Sequence, residues 1–202
     1  MSKRTKSILF SLIVFVFLVI GGKFYMDRMK VDNLYRHGFQ LYEEQIATYL
    51  KEHYSGISKI EFSPIFKSGG NGEGFVYARI VPVVYDTYGN KVYLRNDGVL
   101  KMGVADYEMT AGIDLEFNVN DGSEIIYLRN GQKESISVES YQNLPDELKL
   151  NKDEITDEVM EAFSREEHLK GVEKNDQGSP QAEIAYNLEI RRVQGREFYE
   201  WK

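Results

Sequence analysis

Cysteine is missing from all 202 residues. Its absence removes disulfide frameworks, thiolate zinc sites, iron–sulfur clusters, Cys nucleophiles and a lipid-modified N-terminal cysteine. Basic residues are outnumbered, with 25 Lys plus Arg against 32 Asp plus Glu, a net charge of -7 and a pI near 5.1. General nucleic-acid binding needs a basic footprint that displaces counterions from phosphate, so no nucleic-acid partner is expected. Histidine is scarce, with His37, His53 and His168 the full set, and none stands in an HExxH pair or at another ligand spacing. GxSxG, Walker and dinucleotide-binding glycine patterns are all lacking, so the sequence calls for no cofactor and no metal.

What is present begins with a membrane signal. Lys3, Arg4 and Lys6 precede Ile8 to Gly22, a run of 15 residues without charge in which Ser11 is the one polar side chain. A bilayer core needs about 20 helical residues. Phe24, Tyr25 and Met26 extend the run past Lys23, whose stem can snorkel to the interface, so residues 8–26 can cross the cytoplasmic membrane. A cleaved signal peptide is the competing reading, but cleavage needs small residues at its two key positions, and Val19-Ile20-Gly21 is a poor site. Lys23, Arg28 and Lys30 nearly balance the leading basic residues, and the free amine and Asp27 tip the orientation toward N-terminus inside. The expectation is a single-pass cell-membrane protein with its C-terminal domain outside. Residues 1–30 form the anchor and juxtamembrane segment, and 31–202 an extracytoplasmic α+β domain. A cysteine-free domain in that location favours a bacterial source.

Residues 32–54 place Leu34, Leu41, Tyr42, Ile46, Tyr49 and Leu50 at helical spacing, with Glu43, Glu44, Lys51 and Glu52 on the opposite side. Asp32 or Asn33 would cap this helix, and Gly56 would follow its end. From Ile57 to Val138 the period becomes 2, broken by turn dipeptides, which predicts an antiparallel meander. FVYARIVPVVY (75–85) is apolar on both faces and reads as one central strand in which Pro82 needs a bulge or an unpaired position. Asn96-Asp97-Gly98, Asn120-Asp121-Gly122 and Asn130-Gly131 supply hairpin turns. Residues 151–171 form a surface helix capped by Asn151 and ended by Gly171, and 183–191 a last strand. The expected fold is α+β: the transmembrane helix, then a long helix on a twisted antiparallel sheet of about seven or eight strands, and a second surface helix.

Two loops resemble ligand sites and are better explained without ligands. SGGNGEG (68–74) joins antiparallel strands, so no helix N-terminus helps it hold phosphate. NVNDGSE (118–124) has calcium-type oxygens, but its Gly is at the fifth place and no Glu follows at the twelfth. The strands at 112–119, 133–139 and 183–191 carry Asp114, Glu116, Glu134, Glu139, Glu183 and Glu189 on their polar faces. If those strands are neighbours, the exposed sheet face is acidic and is a candidate surface for a basic protein; the bland alternative is an ordinary solvated face.

Division of the charge sharpens this reading. Residues 1–30 hold six Lys plus Arg and one Asp, a balance of +5, and residues 31–202 hold 19 basic against 31 acidic, a balance of -12. A basic foot suits an anionic membrane, whereas the domain suits a basic partner.

The order of basic start, cysteine-free anchor, helix EEQIATYLKEHY, strand ISKIEFSPIF and meander resembles a group of small membrane-anchored proteins of low-GC Gram-positive bacteria. Some are uncharacterised surface proteins, and some are immunity proteins against secreted antibacterial toxins, including those exported by type VII secretion. The likeness is one of architecture over 1 to about 140 and of residues over 43–66, with no diagnostic motif. It implies a non-catalytic protein-binding role with a secreted toxin as one candidate partner. The alternative from another class is an extracytoplasmic hydrolase acting on cell-envelope material, which would need convergent carboxylates in a cleft.

Overall fold

The computed structural model describes residues 3–69, 76–95, 107–108, 112–117, 124–129, 135–193 and 201. The chain divides into two units, Met1–Tyr35 and Arg36–Lys202. The first consists of the N-terminal part of helix α1 (Lys3–His53). Its side chains from Phe10 to Ile20 are exposed, Phe17 by 72%, and the helix is long and apolar enough to cross a membrane. No separate helix starts at Asp32: α1 runs on without a cap, since no proline or glycine falls between 23 and 35 to interrupt it.

In the second unit, α1 is buried on nearly all sides. Leu41, Tyr42, Ile46, Tyr49 and Leu50 are buried, as their spacing predicts, but so are Phe39, Glu43, Gln45 and Ala47. A one-sided amphipathic face is therefore not what this helix presents. Its surroundings explain why. His37 bonds the Val138 carbonyl, and Gln45 bonds the carbonyls of Arg129 and Leu148. Farther along, Ser179 donates its backbone N–H to the Lys51 carbonyl, and Tyr49 reaches Asp157. Gly38 permits a close approach, since a Cβ there would come within 2.7 Å of Ile126 Cδ1.

Among the described residues there are thirteen short strands in four sheets, not seven or eight in one. They are β1 (Tyr54–Ser55), β2 (Ile57–Phe62), β3 (Ile65–Ser68), β4 (Tyr77–Ile80), β5 (Pro82–Asp86) and β6 (Lys91–Tyr93). There follow β7 (Tyr107–Glu108), β8 (Ile113–Phe117), β9 (Glu124–Arg129), β10 (Ser135–Ser137), β11 (Glu173–Lys174), β12 (Glu183–Ala185) and β13 (Ile190–Arg192). The orders are β12-β2-β5-β6, β13-β3-β4-β7, β10-β9-β8 and β1-β11.

The excess over the expected number comes from breaks at one corner. Residues 57–66, 75–85 and 183–191, each expected as a single strand, switch from one four-stranded sheet to the other at Ser63-Pro64, at Val81-Pro82 and at 186–189. Proline cannot donate to a ladder, so each proline sits where the pairing changes. Ser63 repairs the gap: its N–H donates to the Val81 carbonyl at 3.0 Å, and its Oγ accepts from the Val81 N–H at 2.8 Å.

The sheets are also mixed. β12 runs parallel to β2 through Glu183↔Lys59, Ile184↔Ile60 and Ala185↔Glu61, and β13 runs parallel to β3 from Ile190↔Ile65 to Arg192↔Lys67. β8 and β9 pair antiparallel with the predicted alternation, Ile113 opposite Leu128 and Leu115 opposite Ile126, whereas the turns expected at 96–98, 120–122 and 130–131 lie outside the described residues. The second helix, α2 (Glu154–Arg165), is shorter than expected. Its cap is Asp153, whose side chain accepts from the Thr156 N–H, and not Asn151; it ends at Arg165, six residues before Gly171.

Candidate functional site

Among the described residues, the candidate acids do not form one sheet face. β8 and β10 share a sheet with β9 between them, whereas β12 belongs to another sheet and β13 to a third. On the outer side of the three-stranded sheet, Asp114 and Glu116 lie beside Ile125, Tyr127 and Arg129. Arg129 grips Asp114 with two bonds, Nε to Oδ2 at 2.8 Å and Nη2 to Oδ1 at 3.0 Å, so that charge is paired. Glu116 is exposed, Glu139 lies in the turn after β10, and Glu183 stands opposite Lys59. Glu189 is paired with Arg191, and Glu134 lies outside the described residues.

The outer side of the β2–β5–β6 sheet carries the opposite character. Lys59 and Lys91 approach the Tyr85 ring at 5.4 and 5.9 Å, and Lys91 approaches the Tyr93 ring at 5.0 Å, with the buried Arg95 against that ring at 4.8 Å. Tyr85 donates to Glu61 at 2.8 Å; burial and then that bond push the phenol up to about 12. Burial acts to raise the Glu61 carboxyl, but hydrogen bonds from Tyr85 and Lys59 prevail and hold it below its ordinary value. A cation–tyrosine strip thus interrupts the negative surface.

Two polar assemblies, the first half-buried and the second enclosed, were not readable as such from the sequence. In the first, Asp157 on α2 accepts from Tyr49 Oη at 2.7 Å and Tyr54 Oη at 2.6 Å on one oxygen, and from Lys174 Nζ at 2.6 Å on the other. Nearby, Tyr107 Oη lies 2.8 Å from Thr156 Oγ1, which donates to Asp153. Burial, then the bond to Asp157, raises the Tyr54 phenol. This group ties α1, α2, β1 and β11 together, and its members satisfy one another.

The second is Glu43. Its side chain is fully buried on α1, beyond the apolar run 8–26. Oε2 accepts from the Asn187 N–H at 3.1 Å, and Oε1 has no hydrogen-bond partner among the described residues. Burial pushes the carboxyl up to about 9, only partly offset by the Asn187 bond. The signal for it was the stripe Phe39, Glu43, Ile46, Ala47 and Leu50, where a carboxyl occupies a core position. A raised carboxyl pKa often marks a general acid, but a substrate has no access to a fully enclosed group.

Among the described residues, no group of three or more His, Cys, Asp or Glu could hold a metal ion. Comparison of the chain with protein-family models, with curated proteins and with solved structures finds no match.

Proposed function

We propose that this chain is a membrane-anchored binding domain: residues 8–26 cross the cell membrane once, and the folded unit stands outside, where it engages a basic protein partner. An immunity-type or accessory protein is the most concrete form of that role. The observation that carries the reading is the apolar run from Phe10 to Ile20, whose side chains are exposed along the helix and need a lipid environment. Orientation rests on the free N-terminal amine and Asp27, which tip the near balance between Lys3, Arg4 and Lys6 ahead of the run and Lys23, Arg28 and Lys30 after it.

Partner preference rests on the balance of -12 over residues 31–202. Because the acids are spread over several sheets, they act as a field that speeds encounter with a basic protein, and no single acidic face is needed.

Reporter fusions at residue 202 test the topology. Alkaline phosphatase is expected to be active there and a fluorescent protein dark; the reverse pattern overturns the outside location. The immunity form is tested by expression in toxin-sensitive cells. The full chain is expected to protect, and a version kept in the cytoplasm by deletion of residues 1–26 is expected not to. Equal protection by both would remove a role at the surface.

A further inference from the structure

The segment from Glu183 to Arg192 is an arm with a firm root and a lightly held length. At the root, Ser179 Oγ accepts from the Ile57 N–H and donates to the Tyr54 carbonyl, and the Ala182 N–H donates to the Ser179 carbonyl. Beyond it, β12 and β13 hold β2 and β3 by three register positions each. Between them, residues 186–188 cross the sheet corner without ladder pairing, the Glu189 carbonyl accepts from the Ile65 N–H at 2.8 Å, and Glu43 sits under the crossing. The Asn187 N–H is the bond by which the crossing meets Glu43, and the Tyr186 ring stacks on Phe62 with centroids 6.0 Å apart.

A carboxylate in this enclosure would be a buried charge with one hydrogen bond and one oxygen unpartnered among the described residues. Such a charge costs several kcal/mol unless a cation or more donors meet it. The ionisable neighbours do not help. Glu44, on the same helix, accepts from Gln40 and from the Leu144 N–H, and Tyr186, on the arm, is raised by burial, by Glu44 and by Glu43 itself. Both are acidic groups, so an ionised Glu43 would gain no compensation from either.

We propose that Glu43 is a proton-controlled latch on the arm 183–192: the closed arm requires the protonated acid, and opening the arm lets water reach it and the proton leave. The closed form then binds one proton more than the open form between the ordinary glutamate value of 4.5 and about 9. By linkage, the open population rises up to tenfold for each pH unit across that window. Below it the latch is fully set, and above it the dependence levels off. The inference concerns the arm alone and is independent of the partner proposed above.

Hydrogen exchange of the full chain in lipid nanodiscs, measured from pH 6 to 9 and corrected for the intrinsic pH dependence of amide exchange, tests it. Peptides covering 183–192 are expected to open up to tenfold more often per unit in the wild type and to lose that slope in Glu43→Gln, which keeps the shape and cannot ionise. A flat wild-type arm, a slope retained in Glu43→Gln, or the same slope in α2 and the β8–β9 hairpin would overturn the latch, the last because opening would then be global. Should Glu43→Gln not fold, the wild type still decides. Its infrared spectrum at neutral pH is expected to contain a buried protonated carboxyl band that fades as the arm peptides open, and absence of the band overturns the proposal.

Discussion

Gly56→Ala is expected to lower the melting temperature by roughly 6–12 °C, from a loss of about 3 kcal/mol in a chain of this size. Gly56 joins β1 to β2 with φ at +80°, a conformation that costs an L-residue about 1–2 kcal/mol. A Cβ there would also overlap the carbonyl oxygen of Gly171, which is backbone and cannot swing aside as a side chain would. Overpacking of that kind typically adds 1–3 kcal/mol. The measurement is thermal unfolding followed by circular dichroism. Gly89→Ala is the matched control, since it shares a positive φ of +87° but meets nothing within 4 Å. A similar fall in both variants would show that φ alone matters and that the Gly171 contact contributes nothing.

Asp157→Ala is expected to cost roughly 2–4 kcal/mol, read as a shift in the denaturant midpoint. The variant leaves the nearly buried hydroxyls of Tyr49 and Tyr54 and the Lys174 ammonium without their shared acceptor. Asp157→Asn keeps an acceptor and loses the charge, so it should fall between the two. Burial acts to raise the Asp157 carboxyl, but bonds from Lys174, Tyr54 and Tyr49 outweigh it and hold the carboxyl below its ordinary 3.8. Its contribution is therefore present above that value and is lost as pH falls through the lower, folded one. Glu43 has the opposite sign: its folded value is raised, so its contribution is complete below 4.5 and declines toward about 9. An Asp157→Ala variant whose acid limb matches the wild type would contradict the assignment.

These two sites show how far the residues could be read in advance. The apolar N-terminal helix and the β8–β9 pair were legible because each depends on local pattern: an uninterrupted apolar run in one, strict alternation in the other. The apolar spacing of α1 was equally legible, but the number of layers around it was not. Glu43 and Gln45 look solvent-facing only if one side of the helix is covered. Likewise, FVYARIVPVVY shows its Pro82, but a break there becomes a change of sheet only because Ser63-Pro64 lies across from it. The grouping of the acidic strands into separate sheets was hidden for the same reason. The charges of Asp114 and Glu189 could be counted from the sequence, whereas Arg129 and Arg191 as their partners depended on side-chain placement and sheet membership.

The parallel pairing of the arm has a consequence for how the chain acquires its structure. Parallel strands cannot be joined by a tight turn, and the Asn187 to Glu43 bond closes a loop of 144 positions. The helix emerging early in synthesis must wait for residues made much later before its core is sealed, so contact order is high and the final closure slow. Until then, the edges of β2 and β3 are open to the wrong strand, a hazard for aggregation during biogenesis. A chain that stays incomplete for so long also stays threadable, which suits the outside location proposed above.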